Sequence, residues 1–280
     1  MKFSQRLAIR YFRAKFKFLS SISKKKAARQ AFTLFCTPLH RHRKPLPKIF
    51  GEADKLQITL RGLSVTGWRW NHPSNKKIMI IHGFESSVTN FERYIRPFIS
   101  KGYEVLAFDA PAHGRSGGRQ ITAPLYKEMI VAVNTRYGPI TSFMAHSFGG
   151  LAVCLALEEI PHTATTKLAL IAPATETTTA IDSFFRFLRI DADVRNVFDR
   201  LIVDIGGHPA SWYSIRRALK QINARLLWIH DKDDDTTPLA DAKELISENP
   251  EQVQSVITEG LGHRRIYRDN NVAKAIVDFL

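Results

Sequence analysis

The sequence predicts an α/β protein, with a mostly parallel central sheet, helices on both faces and a small helical cap. Three observations carry this. Short apolar strands alternate with helical stretches from Lys77 to Arg136 and again from Arg225 to Phe279, a rhythm that right-handed crossovers turn into a parallel sheet. Ile140 to Leu151 has the form of a buried strand, a sharp turn and a helix, with Ser147 at the tip of the turn. Residues 174–210 then break the rhythm with helical pieces carrying Phe184, Phe185, Phe187, Leu188 and Phe198, an insertion expected to sit over the carboxyl edge of the sheet as a cap.

The chain of 280 residues is 44% hydrophobic, enough for one large domain with a sizeable core. Cys36 and Cys154 lie far apart without metal-like spacing, so neither a disulfide framework nor a zinc site is indicated. The net charge of +15 is local: of 41 Lys and Arg, 14 fall in residues 1–50, where there is no Asp or Glu, leaving 27 against 26 acidic residues elsewhere. The chain accordingly divides into a basic arm and linker, 1–48, and a body, 49–280.

Residues 2–19 read as an amphipathic helix. Lys2, Arg6, Arg10, Arg13 and Lys17 recur on one stripe, and Phe3, Leu7, Tyr11, Ala14 and Phe18 on another. Three readings of the arm stay open: a helix docked on the body or frayed in solvent, adsorption of residues 1–20 to an anionic membrane surface, and, as the weakest, nucleic-acid binding, since basic patches alone recruit phosphate without specificity. No apolar run has the length of a signal-peptide core or a membrane span, which points to a cytoplasmic protein, with the inner membrane surface as a second site. A second helix ends near Cys36, and Pro45 and Pro47 punctuate the linker.

In the body, Leu56–Leu60 and Leu63–Trp70 alternate apolar and polar residues around Arg61 and Gly62, an antiparallel hairpin at the sheet edge. Strands come next at Lys77–Ile81, Glu104–Phe108 and Thr141–Met144, with helices at Asn90–Lys101, Leu125–Arg136 and from Gly149 to near Ile160. Lys167–Ala172, Arg225–Ile229 and Val253–Thr258 complete the strands. Trp212–Ile222, Ala240–Ser247 and Asn271–Phe279 read as helices, and 259–265 as a loop. The aromatics of 174–210 suit a cap's own small core better than the wall of a substrate pocket.

Ser147 stands in Ala145-His146-Ser147-Phe148-Gly149, where small flanking residues permit a tight turn and close helix packing. A serine between small residues is equally a turn or helix cap; the residues late in the chain decide between these readings. An acidic cluster comes after one late strand, and His263, framed by Gly260 and Gly262, comes after the next. That order of nucleophile, acid and histidine resembles the α/β-hydrolase superfamily over residues 55–280, in its serine-nucleophile, esterase or lysophospholipase-like branch. His82-Gly83-Phe84 resembles the family's oxyanion loop, the segment from Asp109 to Ser116 the loop after the next strand, and Gly260-Leu261-Gly262-His263 the histidine loop.

The resemblance implies an α/β-hydrolase fold, Ser147 as nucleophile, His263 as general base and acid, and backbone N–H groups of Phe84 and Phe148 as the oxyanion hole. For the acid, Asp231, Asp233, Asp234 and Asp235 crowd one loop. The family's spacing, counted from His230 and from Pro238, gives Asp234, with Asp233 and Asp235 as alternatives. His82 and His113 are expected to order their loops. The chain departs from the pattern at Ala145 and Asp231, which stand where glycines are usual.

The implied chemistry is hydrolysis of a small-molecule carboxylic ester, acyl or lipid-like, through an acyl-enzyme, with no metal and no organic cofactor. Thioester or amide hydrolysis, acyl transfer and carbon–carbon bond hydrolysis share the same residues, and a non-catalytic binding scaffold tethered by the arm is the alternative of another class.

Overall fold

A computed structural model describes residues 3–41 and 45–280. Its eight strands are β1 (Asp54–Leu60), β2 (Leu63–Trp70), β3 (Lys77–Ile81), β4 (Glu104–Phe108), β5 (Ser142–His146), β6 (Lys167–Ile171), β7 (Arg225–Asp231) and β8 (Val253–Thr258). They form one sheet in the order β1-β2-β4-β3-β5-β6-β7-β8. The hairpin β1–β2 pairs antiparallel, β2 joins β4 antiparallel, and every pairing from β4 to β8 is parallel. The inner strands β4 and β5 are buried at every residue, which is why they read as continuous apolar runs, whereas β1 at the edge alternates.

The body's helices are α3 (Glu92–Ser100), α4 (Ala123–Tyr137), α5 (Phe148–Leu157), α8 (Ile215–Ala218), α9 (Ala240–Glu248), α10 (Gly262–Arg265) and α11 (Asn270–Phe279). Tyr94, Ile95 and Phe98 of α3 and Val272 and Ile276 of α11 share a buried cluster with Ile78, Ile80, Val105 and Ala107. Alternation sends Ile81 and Phe108 to the opposite face. There α5 approaches so closely that a Cβ on Gly149 would lie 2.8 Å from Ile81 Cγ2, and Tyr137 of α4 packs on Phe108 with ring centroids 5.9 Å apart. The helices therefore cover both faces, as the alternating pattern predicts.

Three local expectations are corrected. Trp212–Ile222 is no single helix but a 3-10 turn at Ala210–Trp212, the short α8 and a second 3-10 turn at Leu219–Gln221. Strand β7 runs two residues further than expected, through His230 and Asp231, because both side chains find buried partners there. The segment 259–265, expected as a loop, winds into α10 over its last four residues.

The remaining helices form a second compact unit: α1 (Phe3–Ile22) and α2 (Lys24–Cys36) group with Glu176–Ser214, which contains α6 (Thr177–Leu188) and α7 (Ala192–Gly206). Ser23 caps α2 by accepting a hydrogen bond from the Lys26 amide. Ala27, Ala28 and Ala31 are fully buried, small residues that let α2 lie close to α7. Phe32 and Phe35 of α2 meet Phe198 at ring-centroid distances of 5.9 and 6.0 Å, and Phe35 meets Phe184 at 5.3 Å. Phe184, Phe185 and Phe198 thus form a small core, completed by the arm, whereas Phe187, expected with them, is 51% exposed.

Candidate active site

Four segments of the body supply the site: the turn between β5 and α5, the loops after β3 and β7, and α10. Ser147 occupies the turn with φ 54° and ψ −125°, a strained backbone for a residue with a side chain. The turn is held from both ends, since its amide donates to Ile171 O at 3.0 Å and its carbonyl accepts from the amides of Gly150 (2.8 Å) and Ala174 (3.1 Å). Only glycine fits at 149, where a Cβ would lie 2.5 Å from the His82 carbonyl oxygen. Ala145, where the resemblance leads one to expect glycine, is fully buried in β5.

Ser147 Oγ lies 2.9 Å from His263 Nε2, and His263 Nδ1 lies 2.8 Å from Asp234 Oδ2. Of the four candidate aspartates, Asp234 alone meets the imidazole in this way among the described residues. Asp234 Oδ1 accepts from the amides of Thr236 (2.9 Å) and Thr237 (2.8 Å), and Oδ2 also accepts from the Thr237 hydroxyl at 2.9 Å. Burial pushes this carboxyl up; the bonds and charge of His263 and the two amides more than offset that and hold it below the usual carboxylate range. With the acid ionised, Nδ1 carries the proton and Nε2 presents a lone pair to the serine hydroxyl.

His230, four residues before Asp234, is not its ion-pair partner. Nε2 donates to Thr237 O at 2.7 Å, Nδ1 accepts from Trp228 Nε1 at 3.3 Å, and burial lowers its pKa, so the ring is neutral. His82 and His113 order their loops in the same way. His82 Nε2 accepts from the Ala110 amide at 2.9 Å, and His113 Nε2 accepts from the Glu85 amide at 3.0 Å. Burial, reinforced by His82, holds His113 down to about 3.

The loop after β3 passes directly beside the serine: a Cβ on Gly83 would lie 2.8 Å from Ser147 Cβ. Phe84 comes next, and its ring meets that of Phe148 at 6.3 Å. Phe148 is the first residue of α5, where helix geometry leaves amides without intrahelical partners and favours negative charge.

The supporting roles of three residues escaped the sequence reading. Thr237 braces both ends of the acid–histidine contact, its hydroxyl lying 3.1 Å from His263 Nδ1. His146 is buried beside His263, with ring centroids 4.8 Å apart, and its Nε2 donates to the His263 carbonyl at 3.1 Å. Burial above all, with the neighbouring His263, lowers it to about 3. Asp231 is fully buried: Oδ1 accepts from the amides of Asp233 (3.0 Å) and Gly262 (2.9 Å), and Oδ2 from the Thr258 hydroxyl (2.6 Å) and the Leu261 amide (3.1 Å). It fastens the segment that carries His263. The sequence signals for it were its place in the acidic cluster and its departure from the expected glycine.

A mostly parallel sheet of this order, carrying a strained serine between β5 and α5 with an acid and a histidine after the last two strands, defines an α/β hydrolase. A model of the serine aminopeptidase, S33 family matches residues 72–211, half of the chain, and the protein belongs to that family. The match includes Ser147 and ends before Asp234 and His263. An uncharacterized protein of Bacillus subtilis (strain 168), YqkD, is 24% identical over 225 residues, covering 75% of this chain and 72% of that one. Among solved structures, the esterase Pf2001 of Pyrococcus furiosus is similar with a TM-score of 0.64 and 22% identity over 88% of this chain and 97% of that one. A membrane phospholipase A, described as a bacterial virulence factor, aligns with a TM-score of 0.61 and 15% identity over 98% of both chains. These likenesses establish the fold, and the protein is an α/β-hydrolase enzyme.

Proposed function

We propose that the protein is a serine hydrolase that cleaves a carboxylic ester of a small acyl or lipid-like substrate through an acyl-enzyme. The observation that carries this reading is the continuous hydrogen-bonded chain Ser147–His263–Asp234, at 2.9 and 2.8 Å. In the proposed reaction His263 Nε2 takes the Ser147 proton as Oγ attacks the ester carbonyl carbon, and Asp234 stabilises the imidazolium. The oxyanion is received by the amides of Phe84 and Phe148. Collapse expels the alkoxide, which takes the proton from Nε2 and leaves as the alcohol. Water, deprotonated by the same nitrogen, then releases the acid and restores the serine.

Amide hydrolysis on the same groups is the second reading, favoured by the description of the family as serine aminopeptidases. The two separate on leaving group. We expect p-nitrophenyl esters, assayed from acetyl to palmitoyl, to be hydrolysed in preference to amino-acid p-nitroanilides. Ser147→Ala should lose about 10⁴-fold or more of the turnover, the scale on which a lost nucleophile acts. Ester turnover that survives this substitution, with no labelling of Ser147 by a fluorophosphonate, would overturn the assignment. Turnover of anilides alone would move it to the second reading.

A further inference from the structure

Among the described residues, helix α1 is held from one side only. On its inner side Phe16 and Ser20 are buried, Arg13 donates to the Phe187 carbonyl at 2.8 and 3.1 Å, and Ser20 Oγ donates to Asp191 at 2.6 Å. Its outer side carries Leu7, Tyr11, Phe18 and Ile22, each 59–65% exposed, with exposed Ala14 among them. At about 100° per residue these five fall within an arc of about 80°. Arg6, Arg10 and Lys17 are exposed along one flank of that arc and have no ion-pair partner among the described residues. The helix contains no acidic residue.

We propose that this outward stripe docks on the surface of an anionic lipid bilayer, the apolar side chains entering the acyl boundary and the cations meeting the headgroup phosphates. Charge and apolar pattern select this occupant together. A nucleic acid would use the cations and leave four large apolar side chains in water. A second copy docked through the stripe would cover those side chains but bring two like-charged rows together. An anionic interface satisfies both halves of the pattern. Among the described residues no helix is long and apolar enough to cross a membrane, and the inference is of a helix lying in the surface, fastened to its unit by α2, α6 and Asp191.

The test is flotation of the full chain with vesicles of phosphatidylglycerol and phosphatidylcholine, against vesicles of phosphatidylcholine alone. The expected result is flotation with the anionic vesicles only. Arg6→Gln, Arg10→Gln and Lys17→Gln together should lower partitioning about 10²-fold, since each cation near an anionic surface contributes about five-fold. Leu7→Gln, Phe18→Gln and Ile22→Gln together should lower it at least about ten-fold. All six positions are exposed, so circular dichroism should stay that of the wild type. Phe18→Trp should show a blue-shifted emission quenched by brominated lipid.

A wild-type chain that does not float overturns the proposal. So does flotation insensitive to the apolar substitutions, which would mark bare electrostatic attraction. A concentration-dependent dimer in size exclusion that the apolar substitutions dissolve, without flotation, would assign the stripe to a second copy instead.

Discussion

Asp231→Asn isolates the residue that fastens the histidine segment without touching the histidine. The carboxylate accepts four hydrogen bonds, two on each oxygen. An asparagine keeps one acceptor and presents a donor in the other place. If the new NH₂ faces the amides of Asp233 and Gly262, two part-buried N–H groups lose their acceptor. If it faces Thr258 and Leu261, the hydroxyl can turn to the His230 carbonyl, 3.4 Å away, and the Leu261 amide alone is stranded. The second orientation wins. Leaving this part-buried donor without its acceptor and losing charge-assisted bonds costs about 1–3 kcal/mol, which at about 2–4 °C per kcal/mol lowers Tm by about 2–12 °C. His263 lies next to Gly262, so loosening this segment also moves the imbalance into catalysis: an ångström of displacement at His263 costs about 10²-fold in kcat. Differential scanning fluorimetry and initial rates on the best p-nitrophenyl ester measure the two effects. A variant with wild-type Tm and wild-type kcat would refute the positioning role of Asp231.

Asp234→Asn faces a similar choice with a different outcome. Its NH₂ turns away from the two amides on Oδ1 and toward His263, forcing the tautomer with a protonated Nε2; kcat should fall about 10⁴-fold with little change in KM, and a rate within ten-fold of wild type would show that another carboxylate serves. Gly83→Ala places a Cβ 2.8 Å from Ser147 Cβ and 3.0 Å from His146 Nδ1, so the serine must shift and fluorophosphonate labelling should slow about 10²-fold; unchanged labelling would show that the loop yields instead. Stability should fall with acid before the carboxylates titrate. His113 and His146 are held down to about 3 when folded, against 6.5 ordinarily, so between those values the unfolded chain binds protons the folded chain does not. Tm should drop from pH 7 to pH 5, and a flat profile there would argue that these rings protonate in place.

The sheet was legible because buried parallel strands announce themselves as apolar runs closed by turn residues; Ser147 and His263 were proposed from their places after such strands, and Asp234 was singled out from its crowded loop only by the spacing that the resemblance supplies. Their supports were not. Thr237 is an ordinary polar residue in a polar loop, and only the folding of that loop turns its hydroxyl onto both Asp234 and His263. The fate of the arm was hidden for another reason. Its pattern specified an amphipathic helix, yet the partner of its inner face lies about 170 residues away in the insertion, as the Ser20–Asp191 bond shows, and periodicity carries no information about which distant surface a stripe will meet.

Asp231 shows how a departure from a pattern is to be weighed. A glycine at that position would give the backbone freedom and leave the amides of Leu261 and Gly262 to other acceptors or to water. An aspartate there removes the freedom and supplies the acceptors itself. Burial pushes its carboxyl up, but the Thr258 hydroxyl and the surrounding amides more than offset this and keep it below the usual carboxylate range. Its contribution is therefore present above the unfolded carboxylate pKa and is lost as pH falls through the lower folded value. The substitution exchanges a flexible hinge under the histidine segment for a charged clamp, which places the same imidazole by different physics and leaves the order of nucleophile, acid and histidine along the chain intact.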